Sequence, residues 1–70
     1  MEILVFKTNL TSTRRVQQVR STLNVHPQIQ QWNVDLHDCD KVLRIISSNI
    51  TGKEIEDLLQ KTGYYCEELK

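Results

Sequence analysis

Four short segments of the chain have the hydrophobic patterns of β-strands. These segments are residues 2–8, 29–36, 41–47 and 64–69. The first is rich in β-branched and aromatic side chains and ends at Asn9, which is typical of a strand followed by a loop. The second alternates, with Trp32, Val34 and Leu36 on one side and polar residues on the other, as expected of a half-buried strand.

Two further segments have a helical pattern instead. From residue 12 to about residue 24 the apolar positions fall at helical spacing among polar residues, and Pro27 marks the end of this amphipathic helix. Thr51 and Glu54 form a capping box, so the second helix should begin at Thr51 or Gly52.

The order of these elements predicts a β-α-β-β-α-β domain of the ferredoxin-like, α+β class. In this arrangement two helices cover one face of a four-stranded antiparallel sheet with strand order 4-1-3-2. The loop after strand 1, the turn at residues 37–40 and the loop before strand 4 should then meet at one end. We expect residues 1–70 to form a single domain, because a chain this short has no room for a second one.

Charge and composition exclude several classes of function. Nine basic and nine acidic side chains give a formal net charge of zero, so nucleic acid and anionic membranes are not expected partners. No apolar stretch is long enough to span a bilayer, the N-terminus lacks the pattern of a signal peptide, and two cysteines 27 positions apart suit a reducing compartment. These features predict a cytoplasmic protein. No nucleophile, base and orienting group stand at a recognisable spacing, so neither catalysis nor a cofactor is expected.

The chain resembles the heavy-metal-associated domain of copper chaperones over nearly its whole length. The positions that carry the resemblance are Leu10 to Arg15, Val19, Leu23, Asn33 to Leu36, Ile55, Gly63 and Tyr64. In that family a Met-Thr-Cys-x-x-Cys loop opens the first helix and binds Cu(I) through two thiolates. Here Ser12 and Arg15 stand at the two cysteines, and Tyr64 fits a position that bacterial copper chaperones commonly fill with tyrosine. A hydroxyl is a poor ligand for a soft ion and a guanidinium repels cations, so the resemblance implies the scaffold without its metal site.

The start of the first helix is a candidate contact for an anion or for a carboxylate of a partner. The candidate residues are Thr11, Ser12, Arg14 and Arg15. The free backbone N–H groups and the positive end of the helix dipole favour an anion at this place. The simpler interpretation is that Ser12 or Thr11 only caps the helix, while the arginines are solvated or paired with Asp38 and Asp40.

His37 and Cys39 form a second candidate, since alternate residues of a turn can point the same way and Zn²⁺ accepts both ligand types. Such a two-residue site would be incomplete, and an ordinary polar turn with an exposed thiol explains the same residues. Cys66 is expected to be a small buried hydrophobe.

The face of the sheet away from the helices is a third candidate. The family register places Leu4 and Phe6 inward, which leaves apolar residues on the outer face. These are Ile3, Val5, Val42 and Tyr65, with Ile46 as a further member. A contiguous exposed patch of this kind would bind a protein partner or form a weak homodimer. A strand register shifted by one residue would instead bury them.

Taken together, these patterns favour a non-enzymatic protein-interaction module without a bound cofactor. The alternative is a divergent metal-binding protein that uses His37 and Cys39.

Overall fold

A computed structural model describes residues 2–69 and has the predicted order of elements. These are β1 (Glu2–Thr8), α1 (Thr13–Asn24), β2 (Ile29–Asp35), β3 (Val42–Ser47), α2 (Gly52–Lys61) and β4 (Cys66–Glu68). The strands form one antiparallel sheet in the order β2-β3-β1-β4. Read from the other edge, this order is 4-1-3-2, so the predicted ferredoxin-like topology is confirmed.

Side-chain hydroxyls fix the beginning of both helices. The Oγ of Ser12 accepts a hydrogen bond from the backbone N–H of Arg15 at 3.3 Å, and the Oγ1 of Thr51 accepts one from Glu54 at 3.2 Å. Each hydroxyl thereby satisfies an N–H that has no partner within its helix. Helix α2 ends before Gly63, whose φ of 91° lies in the region that a residue without Cβ adopts most easily.

The core lies between the helices and the inner face of the sheet. Its fully buried side chains include Phe6, Leu10, Val19, Leu23, Leu43, Ile45, Ile55 and Leu59. Trp32 packs against this core from β2, and its Nε1–H donates to the Oδ1 of Asn24 at 2.8 Å. Burial of Phe6, Leu43 and Ile45 sets the parity of the two central strands, so the residues that alternate with them face outward.

Three loops meet at one end of the sheet, as the topology predicts. The backbone N–H of Thr8 donates to the carbonyl of Asp40 at 3.0 Å, and the N–H of Tyr65 donates to the Oδ1 of Asn9 at 2.9 Å. Because Tyr65 bonds to this loop, β4 begins only at Cys66, two residues later than its hydrophobic pattern suggests. No helix within residues 2–69 is long and apolar enough to cross a membrane.

Candidate functional site

The start of α1 lies beside an open groove of about 420 Å³. The groove is lined by Asn9, Ser12, Arg14, Arg15, Gln18, Gly63 and Tyr64. Ser12 and Arg15 therefore share one surface with Tyr64, which is far from both in sequence. Gln18 was not expected there, although its helical spacing of three and four residues from Arg15 and Arg14 was a usable signal.

A hydrogen-bonded loop forms one wall of this groove. The carbonyl of Asn9 accepts a hydrogen bond from the Nη1 of Arg15 at 3.3 Å, and the Oδ1 of Asn9 accepts one from the backbone N–H of Tyr65. Before it, the Oγ1 of Thr8 donates to the carbonyl of Lys41 at 2.6 Å and accepts from the N–H of Leu10 at 3.2 Å. Buried Thr8 thus ties the loop to the neighbouring turn.

The two arginines of the groove carry no neutralising partner among residues 2–69. Neither guanidinium forms an ion pair with a carboxylate within these residues. The ion pair near the groove joins the Nζ of Lys7 to the Oδ1 of Asp40 at 3.7 Å. Of the simpler interpretation, the cap by Ser12 and exposed arginines are present, whereas pairing of the arginines with Asp38 and Asp40 is not. Arg14 and Arg15 are exposed, and the groove presents two positive charges at the positive end of the helix dipole.

The turn after β2 brings Cys39 together with carboxylates rather than with histidine. One ligand atom each from Asp38, Cys39 and Asp40 lies within 4.8 Å of the others, and His37 does not belong to this cluster. Both carboxylates already have partners. The Oδ1 of Asp38 accepts the N–H of Asp40 at 2.8 Å, and Asp40 pairs with Lys7.

Cys66 is the second free thiol, and it is buried at 2% exposure. Burial raises its pKa to about 12, and the nearby carboxylate of Glu56 acts in the same direction. The thiolate, which is the form that binds metals, is therefore strongly disfavoured at this position.

The outer face of the sheet is less apolar than expected, because Val42 is not exposed. Ile3 and Tyr65 are 67% and 45% exposed, and Val5 is half-buried, but Val42 is only 8% exposed. The parity of Val42 is outward, opposite Asp35. One step beyond the last β1–β3 pair, the register also places Lys7 opposite it. At this low exposure Val42 does not belong to an exposed patch, so its predicted place in that patch is wrong.

The same register interrupts the remaining patch with charge. Ile3 lies opposite Ile46, but Val5 lies opposite Arg44, whose side chain is exposed. The hydroxyl of Tyr65 donates to the Oε2 of Glu67 at 2.7 Å, and this hydrogen bond raises the pKa of Tyr65. The outer face is therefore mixed rather than continuously apolar.

Comparison with solved structures places this geometry in a known fold. A domain in the Atx1-Cu(I)-Ccc2a complex superposes with a TM-score of 0.86 at 14% identity, over 100% of this chain and 97% of that one. The first domain of the human copper chaperone for SOD1, in its Cu(I)-loaded form, gives 0.79 at 24% identity, over 94% and 89%. The fold is that of a heavy-metal-associated domain. The N-terminal domain of ZntA in its Zn(II) form also matches, with a TM-score of 0.78 at 17% identity, over 97% and 92%.

The heavy-metal-associated fold is thus shared at low sequence identity. No family model and no curated protein sequence matches the chain.

The donor atoms of the groove do not fit the soft ion that the fold family implies. Cu(I) prefers thiolate and thioether ligands. The groove instead offers hydroxyl and amide groups, a phenol and two guanidinium groups. Neither Cys39 nor Cys66 lines it.

Proposed function

We propose that this chain is a single, non-enzymatic protein-interaction domain on a heavy-metal-associated scaffold that has lost soft-metal binding at its metal loop. The observation that carries the proposal is the groove where Ser12, Arg15 and Tyr64 meet. Its thiolate positions hold a hydroxyl and a permanent positive charge. The free thiols of Cys39 and Cys66 fit a reducing, cytoplasmic setting.

Protein contact is the function that this surface best supports. One matching structure is a complex between two proteins, Atx1 and Ccc2a, with Cu(I). In the present chain the exposed guanidinium groups of Arg14 and Arg15 lack carboxylate partners within residues 2–69. A carboxylate of a partner would supply the missing charge and could bind a guanidinium through two hydrogen bonds. The contact surface therefore includes Thr11, Ser12, Arg14 and Arg15.

A competition titration with a chromophoric Cu(I) chelator tests the loss of metal binding. The wild-type chain should not compete, because a hydroxyl and a guanidinium replace the two thiolates. The double variant Ser12→Cys with Arg15→Cys, in a Cys39→Ser background, should gain tight Cu(I) binding. Two thiols at this spacing sit at the cap and in the first turn of α1, where both border the groove.

A matched control separates this geometry from the mere presence of two thiols. Ser12→Cys with Gln17→Cys also introduces two exposed thiols, but positions five residues apart point to different sides of a helix. This control should bind Cu(I) much more weakly than the first pair. Sub-nanomolar binding by the chain carrying only Cys39→Ser would refute the proposal. Equal binding by the two double variants would refute the assignment of the metal loop.

The interaction half of the proposal has its own test. NMR titration of the ¹⁵N-labelled chain with a glutamate-rich peptide should shift the amide signals at the start of α1. The shifts should disappear in Arg14→Gln with Arg15→Gln, whereas Arg20→Gln, further along the same helix, should retain them. Shifts that persist in the Arg14 and Arg15 variant would show that the groove is not the contact.

A divergent metal site is the second candidate, because Asp38, Cys39 and Asp40 place three ligand atoms within 4.8 Å. It would use Cys39 without the expected His37. Native mass spectrometry with Zn²⁺ and Cu(I) under reducing conditions separates the two functions. A stoichiometric metal adduct that Cys39→Ser abolishes would favour this second candidate over the interaction domain.

A further inference from the structure

The two edges of the sheet differ in how they are protected against pairing with another strand. Edge strands are commonly kept from pairing by shortness, charge, proline or bulges. At one edge, β4 has only three residues, Cys66–Glu68, and two of them are glutamates. At the other edge, β2 has seven residues, Ile29–Asp35. Its one irregularity lies at its start, between Ile29 and Gln31. The stretch from Gln31 to Asp35 carries none of these devices except a single terminal charge.

A groove on the helix side borders this unprotected strand. It has a volume of about 370 Å³ and runs between α1 and β2, lined in part by Arg20, Asn24 and Trp32. A strand added to an edge points successive side chains to opposite faces, so its core-side residues would lie at this groove.

The sequence of β2 is complementary to itself in one antiparallel register. The register of β2 on β3 shows that Trp32 and Val34 face the core side, whereas Gln31, Asn33 and Asp35 face outward. If Asn33 of one copy lies opposite Asn33 of another, every pair joins residues of the same face. Trp32 then meets Val34, Gln31 meets Asp35, and the two Asn33 amides meet each other.

This register also satisfies polar groups and avoids like charges. The side-chain amide of Gln31 can donate to the carboxylate of Asp35 in the other copy, and two asparagine amides can donate to each other. Asp35 uses its Oδ1 to accept the N–H of His37 at 3.0 Å, which leaves its other oxygen available. The bulge at the start of β2 lies outside the five paired residues.

We propose that the free edge of β2 binds the same edge of a second copy of this chain, in the antiparallel register centred on Asn33. The dimer would join the two sheets into one of eight strands. The proposal concerns a surface away from the groove at the start of α1 and does not depend on the loss of metal binding. It also differs from the predicted homodimer through the outer face, because it uses the backbone of an edge strand.

Charge substitutions at Gln31 test the register in solution. Gln31 is exposed and lies opposite Ile46 in its own sheet, so either charge should leave the monomer folded. The symmetric dimer contains two pairs of Gln31 with Asp35 of the other copy. Gln31→Lys would make both of them pairs of opposite charge, whereas Gln31→Glu would make both of them pairs of like charge. We expect the dissociation constant, measured by sedimentation velocity from roughly 10 μM to 1 mM, to fall with lysine and rise with glutamate by roughly two- to thirtyfold.

Disulfide trapping provides an independent measurement in a Cys39→Ser background. Asn33→Cys would place two Cβ atoms directly opposite each other at about 4.5–5.5 Å, near the separation that a disulfide spans. The matched control is Gln31→Cys, which is also exposed on the same face of the strand. Its two thiols would lie about 13 Å apart in the dimer, four strand positions from each other.

Oxidation should therefore convert the Asn33→Cys chain to covalent dimer under conditions that leave Gln31→Cys monomeric. A wild-type chain that remains monomeric at roughly 1 mM would overturn the proposal. So would equal cross-linking of the two cysteine variants, or the same dissociation constant for Gln31→Lys and Gln31→Glu. None of these outcomes bears on Cu(I) binding at the groove, so the two proposals fail separately.

Discussion

Alkaline pH should destabilise the folded chain through Cys66. Burial, reinforced by the charge of Glu56, raises the pKa of this thiol from 9.0 to about 12. In the unfolded chain the thiol regains its ordinary pKa, so above that value the folded state holds more protons than the unfolded state. The stability contributed by Cys66 is therefore complete below the unfolded pKa and is lost as the pH rises toward the folded pKa.

The size of the loss follows from the two pKa values. It should be about 1.4 kcal/mol at a pH of about 10 and about 2.7 kcal/mol at a pH of about 11, as an order of magnitude. A domain of 70 residues is expected to have a free energy of unfolding of roughly 4–10 kcal/mol. The loss is therefore large enough to measure by chemical denaturation.

Urea unfolding of the wild type and of Cys66→Ala, with a reductant, at pH values of about 7 and 10 isolates the thiol. Both chains contain the same tyrosines and lysines, so titration of those groups affects both equally. The difference in free energy of unfolding between the wild type and Cys66→Ala should therefore shift by about 1.4 kcal/mol in favour of the variant at the higher pH. Glu56→Gln should retain most of the effect, because burial is its main cause. An unchanged difference would show that Cys66 is not shielded from solvent and would reopen it as a possible metal ligand.

Two further substitutions test the burial of individual positions. The Oγ of Ser47 is fully buried without a hydrogen-bond partner among residues 2–69. Ser47→Ala should therefore leave the free energy of unfolding, measured by urea denaturation, unchanged or raise it by up to about 1 kcal/mol. A loss above about 1 kcal/mol would reveal a partner for this hydroxyl. Val42→Glu should lower the melting temperature by several degrees, whereas Ile3→Glu on the same face should change it little. The reason is that a charge is costly only where water is excluded. Equal effects of the two substitutions would contradict the burial of Val42.

The sequence alone determined the elements and their order, because these depend on interactions between residues close together in the chain. The caps of both helices could be predicted from Ser12 and Thr51, since a hydroxyl at that position bonds to an N–H only three residues away. The alternation around Trp32 predicted a half-buried β2 because side chains of a strand point to opposite faces. Six such elements in this order permit few topologies, and the observed sheet is one of them.

Only the tertiary structure decided which outward residues are exposed and which charges are paired. Val42 and Ile3 have the same outward parity, but Val42 is only 8% exposed, whereas Ile3 is 67% exposed. Asp40 was an expected partner of the arginines, yet it pairs with Lys7 because the turn folds over the end of β1. Exposure and ion pairing depend on contacts between distant segments, and the period of a single segment carries no information about them.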